Sequence, residues 1–219
     1  MPKRRYAVYD VFADSVLAGN PLAVVFDADG LDDGAMQRIA REFNLSETTF
    51  VLPPANPLHR ASVRIFTPEY ELPFAGHPTV GTAIALTQAA AEAGEQHAGI
   101  FVLEEKVGPV RCAVTQNGNL AFAEFDLPKL PDQLPLSASA EAIGAALGLD
   151  PQEIGFENHR VGLWSAGVPY IAVPVASLAA AGRATLDGSA WLDLAPTREG
   201  GAPACAYIYT RETANCCTR

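Results

Sequence analysis

No run of Lys and Arg longer than Lys3-Arg4-Arg5 occurs in this 219-residue chain, whose 15 basic residues are outnumbered by 25 acidic ones for a formal charge of −10 and a pI near 4.8. Neutralising phosphates requires clustered cations, so nucleic acid is excluded as a partner. Long hydrophobic runs are missing too. Gly, Pro or charge breaks every apolar stretch before the ~20 residues of a membrane span, so no membrane partner is expected. Met1-Pro-Lys-Arg-Arg leads into a strand and not into a signal core, which makes the expected location cytoplasmic. Cysteine is scarce and scattered. Cys112, Cys205, Cys216 and Cys217 form no CxxC pair and have no His at ligand spacing, so no metal site is expected.

At 49% hydrophobic and 18% charged, the chain can bury a sizeable core as one large or two small domains. Its most informative segment runs from Gly76 to Gly94. This reads as a helix over residues 77–93, opened by Pro78 and closed by Gly94. Val80, Ala83, Ile84, Ala85, Leu86, Ala89, Ala90 and Ala91 go round most of its axis, leaving no broad polar face. Such a helix must be wrapped by other elements. Its free N–H groups and positive dipole end fall at Gly76 and His77, a natural seat for a carboxylate or phosphate.

Strands are predicted around it at Arg5–Phe12, Leu22–Phe26, Thr48–Leu52, Ala61–Phe66, Ile100–Leu103, Val110–Thr115 and Leu120–Phe125, with Asn117-Gly118 as a hairpin turn. A helix capped by Asp32 or Asp33 carries Met36, Ile39, Ala40 and Phe43 on one face and stops at Asn44. The proline-rich stretch Leu127–Pro135 reads as a linker, dividing the chain into residues 1–127 and 136–219. In the second part, Ser139 caps a helix ending at Gly148, and strands are predicted at Asn158–Trp164, Tyr170–Val173 and Ala204–Thr210. This part shows no counterpart of the long buried helix.

Several residues here could carry chemistry. Glu47 sits in the tight connection Asn44–Phe50, where it is either a positioned general base or a solvated or capping carboxylate. His77 is either a donor at the helix mouth or a satisfied histidine near a helix start. Asn20-Pro21 reads as a turn or as the edge of a site, and Asp10 and Asp14 as caps or solvated groups.

Four motifs in order carry a resemblance: Tyr9-Asp-Val-Phe12 with Gly19-Asn-Pro-Leu-Ala-Val24; Ser46-Glu-Thr48; Phe66-Thr-Pro68; and Glu71-Leu-Pro-Phe-Ala-Gly-His-Pro-Thr79. Together they resemble the phenazine-biosynthesis PhzF-like family, and Leu163–Pro169 extends the likeness into the second part. The resemblance implies an α+β fold of the diaminopimelate epimerase type. Two lobes, each a curved mixed sheet around a central helix, would enclose the active site in the cleft between them. It further implies an isomerase without cofactor, known best for moving a proton between ring carbons of a dihydro-hydroxyanthranilate. The family's acid/base glutamate falls on Glu47, its substrate-contacting pair on Gly76 and His77, and its Gly-Asn-Pro motif places Asn20 in the same site. A small anionic substrate and a homodimer are the partners implied. Related epimerases use paired cysteines, but position 75 here is Ala and Cys112 lies in a strand away from the motifs.

Relatives continue past Tyr207–Thr210 into a Glu-Asp-Pro-x-Thr-Gly-Ser-Ala segment that opens a second central helix. This chain instead reads Arg211–Arg219, which is expected to be a truncated or altered end that leaves the second lobe incomplete. The alternative to an isomerase is therefore a non-catalytic relict or self-associating binding protein.

Overall fold

Short β-branched and aromatic runs alternating with turn residues build the strands of this chain. The computed structural model describes residues 3–15, 17–95, 99–117, 120–197 and 203–212. It divides into two compact units, Met1–Pro128 and Lys129–Arg219.

The first unit begins with β1 (Tyr6–Val11), antiparallel to β2 (Asn20–Val25). Helix α1 (Asp33–Phe43) starts where Asp32 accepts a hydrogen bond from the Ala35 N–H at 2.6 Å, and ends at Asn44 in the left-handed conformation, φ 52°. Asn44 is the stop expected from the sequence, and Asp32 is one of the two caps it offered. Its apolar stripe, Met36 and Ala40, packs on Val25, Phe50 and Phe66. Then follow β3 (Glu47–Leu52), β4 (Ala61–Phe66), β5 (Glu71–Leu72), helix α2 (Gly76–Glu92), β6 (Ile100–Glu105), β7 (Gly108–Asn117) and β8 (Leu120–Phe125). β7 and β8 pair up to Asn117 and Leu120; Gly118, expected in their turn, lies outside the described residues.

The strand order is β1-β2-β3-β4-β6-β7-β8, with β5 paired to β4. Laid flat, the outermost strands of seven would stand roughly 29 Å apart at ~4.8 Å spacing. Helix α2 nevertheless packs against β1, β2 and β3 and also against β7 and β8. A helix only ~10–12 Å across can do this only if the sheet curls round it. Its first three turns are accordingly buried, Pro78 to Ala83 throughout, while Ala91 and Glu92 emerge. Gly81 permits the close approach: a Cβ there would lie 2.5 Å from Leu22 Cδ2 and 2.8 Å from Val11 Cγ2. The Thr82 hydroxyl donates to Thr49 Oγ1 at 2.9 Å inside the same interface.

In the second unit, β9 (Asp132–Leu134), β10 (Gly162–Ser165), β11 (Pro169–Pro174) and β12 (Cys205–Tyr209) form one sheet in the order β12-β11-β10-β9. Helices α3 (Ala140–Ala146), α4 (Leu178–Arg183) and α5 (Gly188–Leu194) complete it. Ile143, Leu163, Ile171, Val173 and Trp191 make its core, and the Trp191 indole N–H donates to the Ala204 carbonyl at 2.8 Å. The opposite sheet face carries Trp164, Tyr170 and Tyr207, which are 40%, 43% and 59% exposed.

Two expectations are corrected here. The stretch read as a linker contains β9, whose three residues pair with β10 at the sheet edge, where flanking prolines do no harm. The strand expected over Asn158–Trp164 starts only at Gly162, because Phe156 and His159 form a tight bridge with Glu157 left-handed at φ 46°. The described residues contain no helix long and apolar enough to cross a membrane.

Candidate active site

β2 and β3 run parallel with Leu22 opposite Glu47, so the first residues of both strands, Asn20 and Glu47, lie at the same end of the sheet. Glu47 is thus the first residue of β3 and not part of a loop as expected; the left-handed Asn44 ends α1 abruptly and leaves only Leu45 and Ser46 as connection. The second residue of α2, His77, reaches both strand ends. Its Nδ1 lies 2.8 Å from Glu47 Oε2 and its Nε2 lies 2.9 Å from the Asn20 carbonyl oxygen. Residues 20, 47 and 77, distant in the chain, are therefore one constellation. Gly76 stands beside it at the helix start, and a Cβ there would lie 3.3 Å from Phe125 Cζ.

The protons of this constellation can be counted. A carbonyl only accepts, so His77 Nε2 carries a hydrogen and donates it to Asn20. One further proton then lies between Nδ1 and Glu47 Oε2, giving either an imidazolium beside a carboxylate or a neutral imidazole beside a carboxylic acid. Burial by itself would lower the His77 pKa; the hydrogen bonds to Glu47 and Asn20 and the Glu47 charge outweigh it, and the net shift is upward. Both side chains are largely enclosed, with 10% of His77 and 18% of Glu47 left exposed. A carboxylate held by a histidine that is itself fixed at both nitrogens has a defined orientation and a protonic neighbour, which are the requirements of a proton shuttle.

Two further groups, not assigned a role from the sequence although both lie in its motifs, join the site. The Ser46 hydroxyl donates to Asn20 Oδ1 at 3.3 Å. Phe12 places its ring centroid 5.9 Å from that of His77, with a left-handed backbone at φ 63° and 73% exposure. Asp10 accepts from the Ala18 and Gly19 N–H groups at 2.9 and 3.1 Å, a capping role, and Asp14 is exposed. At the mouth of α2 the N–H groups of Gly76 and His77 have no partner within the helix, and Pro78 has no N–H.

Cys112 is fully buried, and chiefly through that burial, with the Glu105 and Asp126 charges adding, its thiol is pushed up to about 12. It cannot be a base at neutral pH. Among the described residues no three His, Cys, Asp or Glu side chains converge as a metal-binding group.

Comparison with known proteins connects this geometry to others. Residues 9–208 match the family model described as phenazine biosynthesis-like protein. An uncharacterized isomerase of Mesorhizobium japonicum is 65% identical over 98% of this chain and 70% of its own length. The trans-2,3-dihydro-3-hydroxyanthranilate isomerase of Pseudomonas chlororaphis is 45% identical over 72% of this chain and 54% of its own length. The chain thus spans little more than half of that enzyme. Among solved structures, a predicted epimerase from Pseudomonas aeruginosa superposes with a TM-score of 0.74 at 33% identity, covering 95% of this chain and 70% of the other. A PhzF-family phenazine biosynthesis protein of Bacillus anthracis superposes with a TM-score of 0.73 at 28% identity, covering 88% and 63%.

Proposed function

The chain belongs to the phenazine biosynthesis-like family, and on that premise we propose a cofactor-independent isomerase that moves a proton between carbons of a small anionic substrate. The observation that carries this reading is the 2.8 Å contact between Glu47 and a doubly anchored His77. Glu47 Oε2 is engaged by His77, and Oε1 takes a proton from one substrate carbon, exchanges part of it with solvent, and delivers a proton to another carbon. The proton shared with Nδ1 stays within the pair, so the enzyme ends each cycle as it began. Asn20 fixes the histidine. The Gly76 and His77 N–H groups, with the positive end of α2 behind them, receive the substrate carboxylate. Phe12 supplies an apolar wall against the ring or carbon skeleton.

Relatives carry the name isomerase, and trans-2,3-dihydro-3-hydroxyanthranilate is the first compound to try. The test is its conversion in D2O, followed by mass spectrometry and NMR. Glu47→Gln is expected to cut deuterium incorporation by roughly 10²–10⁴-fold, the usual worth of a positioned acid/base, with the circular dichroism unchanged. Equal exchange by that variant removes Glu47 from the role.

One observation favours the second reading, a non-catalytic self-associating protein: the exposed aromatic face of Trp164, Tyr170 and Tyr207. Sedimentation separates the two. A monomer that catalyses exchange discards the second reading, whereas association weakened by Trp164→Ser, without turnover by the parent, supports it. Homodimeric assembly and a cytoplasmic location belong to this same proposal.

A further inference from the structure

Behind the first turn of α2 lies a carboxyl group that the proposed chemistry does not use. Glu105, the last residue of β6, is only 6% exposed. Thr79 Oγ1 lies 2.7 Å from Glu105 Oε1 and also 2.7 Å from the carbonyl oxygen of Ala75, the residue that precedes α2. A hydroxyl has one hydrogen, and both of these neighbours are acceptors if Glu105 is ionised. One short contact would then hold two oxygens together without a proton. Glu105 Oε2, moreover, is buried and has no hydrogen-bond partner among the described residues. A carboxylate in that setting would leave a desolvated charge unmet, whereas a carboxylic acid puts a proton in both short contacts and leaves only a neutral carbonyl oxygen without a partner. The acid O–H donates to Thr79 Oγ1, and the threonine proton goes to Ala75.

We propose that Glu105 is a positioning residue which, as a neutral acid, locks the first turn of α2 through Thr79 and so sets Gly76 and His77 against Glu47. Thr79 faces the acid from α2, and the Cys112 thiol, itself neutral, from β7. The cations Arg64 and Lys106, which line one cavity with Glu105, are engaged by other carboxylates, Arg64 by Glu71 and Asp33 and Lys106 by Glu71. Burial therefore dominates and pushes the carboxyl up to about 7. The lock is closed in acid solution, half released near neutrality and open as pH rises beyond that value. Its consequence for catalysis rests on the proposed isomerase reading; the lock itself does not.

The experiment needs no substrate. The full chain, labelled with ¹³C at the glutamate carboxyls, is titrated from pH 4.5 to 8.5, with Glu105→Gln identifying the resonance. The expected inflection is near 7, and one in the ordinary carboxylate range overturns the proposal. Thermal midpoints are read over the same interval. Glutamine keeps an N–H donor for Thr79 at every pH. The parent should therefore lose stability relative to Glu105→Gln as pH rises from 4.5 through 7, and a pH-independent difference overturns the lock. Glu105→Ala should be the less stable variant throughout. Should Glu105→Gln not fold, Thr79→Val keeps the shape without the relay. The His77 ring signals of the parent should show the Glu105 inflection, and those of Thr79→Val should not. A parent whose His77 signals ignore the titration of Glu105 overturns the positioning role, whatever the isomerase assay gives.

Discussion

His77 binds Glu47 through one nitrogen and a backbone carbonyl through the other, which makes its protonated form a structural component. Its raised pKa means the folded protein holds that proton more tightly than the unfolded chain does. The resulting stabilisation is complete below the ordinary value of 6.5 and is lost as pH rises through the higher folded value. Against His77→Asn, the parent's denaturant midpoint should therefore fall on going from pH 6 to pH 9; a rising difference would contradict the arrangement. Phe12 offers the opposite test. An exposed phenylalanine held left-handed costs about 1–2 kcal/mol in backbone conformation, so Phe12→Gly should stabilise the fold by about 1 kcal/mol while weakening turnover. Glu47, Gly76, His77 and Asn20 were legible as residues because each lies in a motif. The proton count between them was not, since it depends on a carbonyl and a carboxylate that come within 3 Å of one ring only after residues 20, 47 and 77 have converged.

Helix α1 was legible down to its caps because Asp32 and Asn44 act on neighbouring backbone, and Asp32→Ala should accordingly cost about 1 kcal/mol in chemical denaturation. Helix α2 was legible for a different reason: an apolar surface on all sides states that a cover exists, and the curled sheet supplies it. Gly81→Ala tests how closely. Alanine would gain up to about 1 kcal/mol in helix propensity, but its Cβ would press on Leu22 and Val11, both buried, at a cost of about 1–3 kcal/mol. Net destabilisation is expected, and a more stable variant would mean the interface yields. Strand β9 and helices α4 and α5 escaped the sequence reading. β9 has three exposed residues and no alternation to show, and α4 and α5 span six and seven residues, too few turns for a stripe to declare itself.

Across the whole chain, the two units meet in sequence at Pro128 and Lys129, where Lys129 is exposed and in no regular element. Brief trypsin treatment is expected to cut first after Lys129 and release the two parts, as mass spectrometry would show; a first cut inside β1–β8 would mean the first unit is the weaker. The prolines near residue 130 read as a linker, but the strand among them shows that composition marks an element boundary only to within several residues. The curl of the first sheet has a consequence for synthesis. Helix α2 is finished at Glu92, yet the strands that close over it, β7 and β8, are not complete until Phe125. At the ~5–20 residues per second of translation this gap lasts roughly 2–7 s. During that time the growing chain carries an apolar helix with half its cover still unmade, an opening for any chaperone waiting at the ribosome exit.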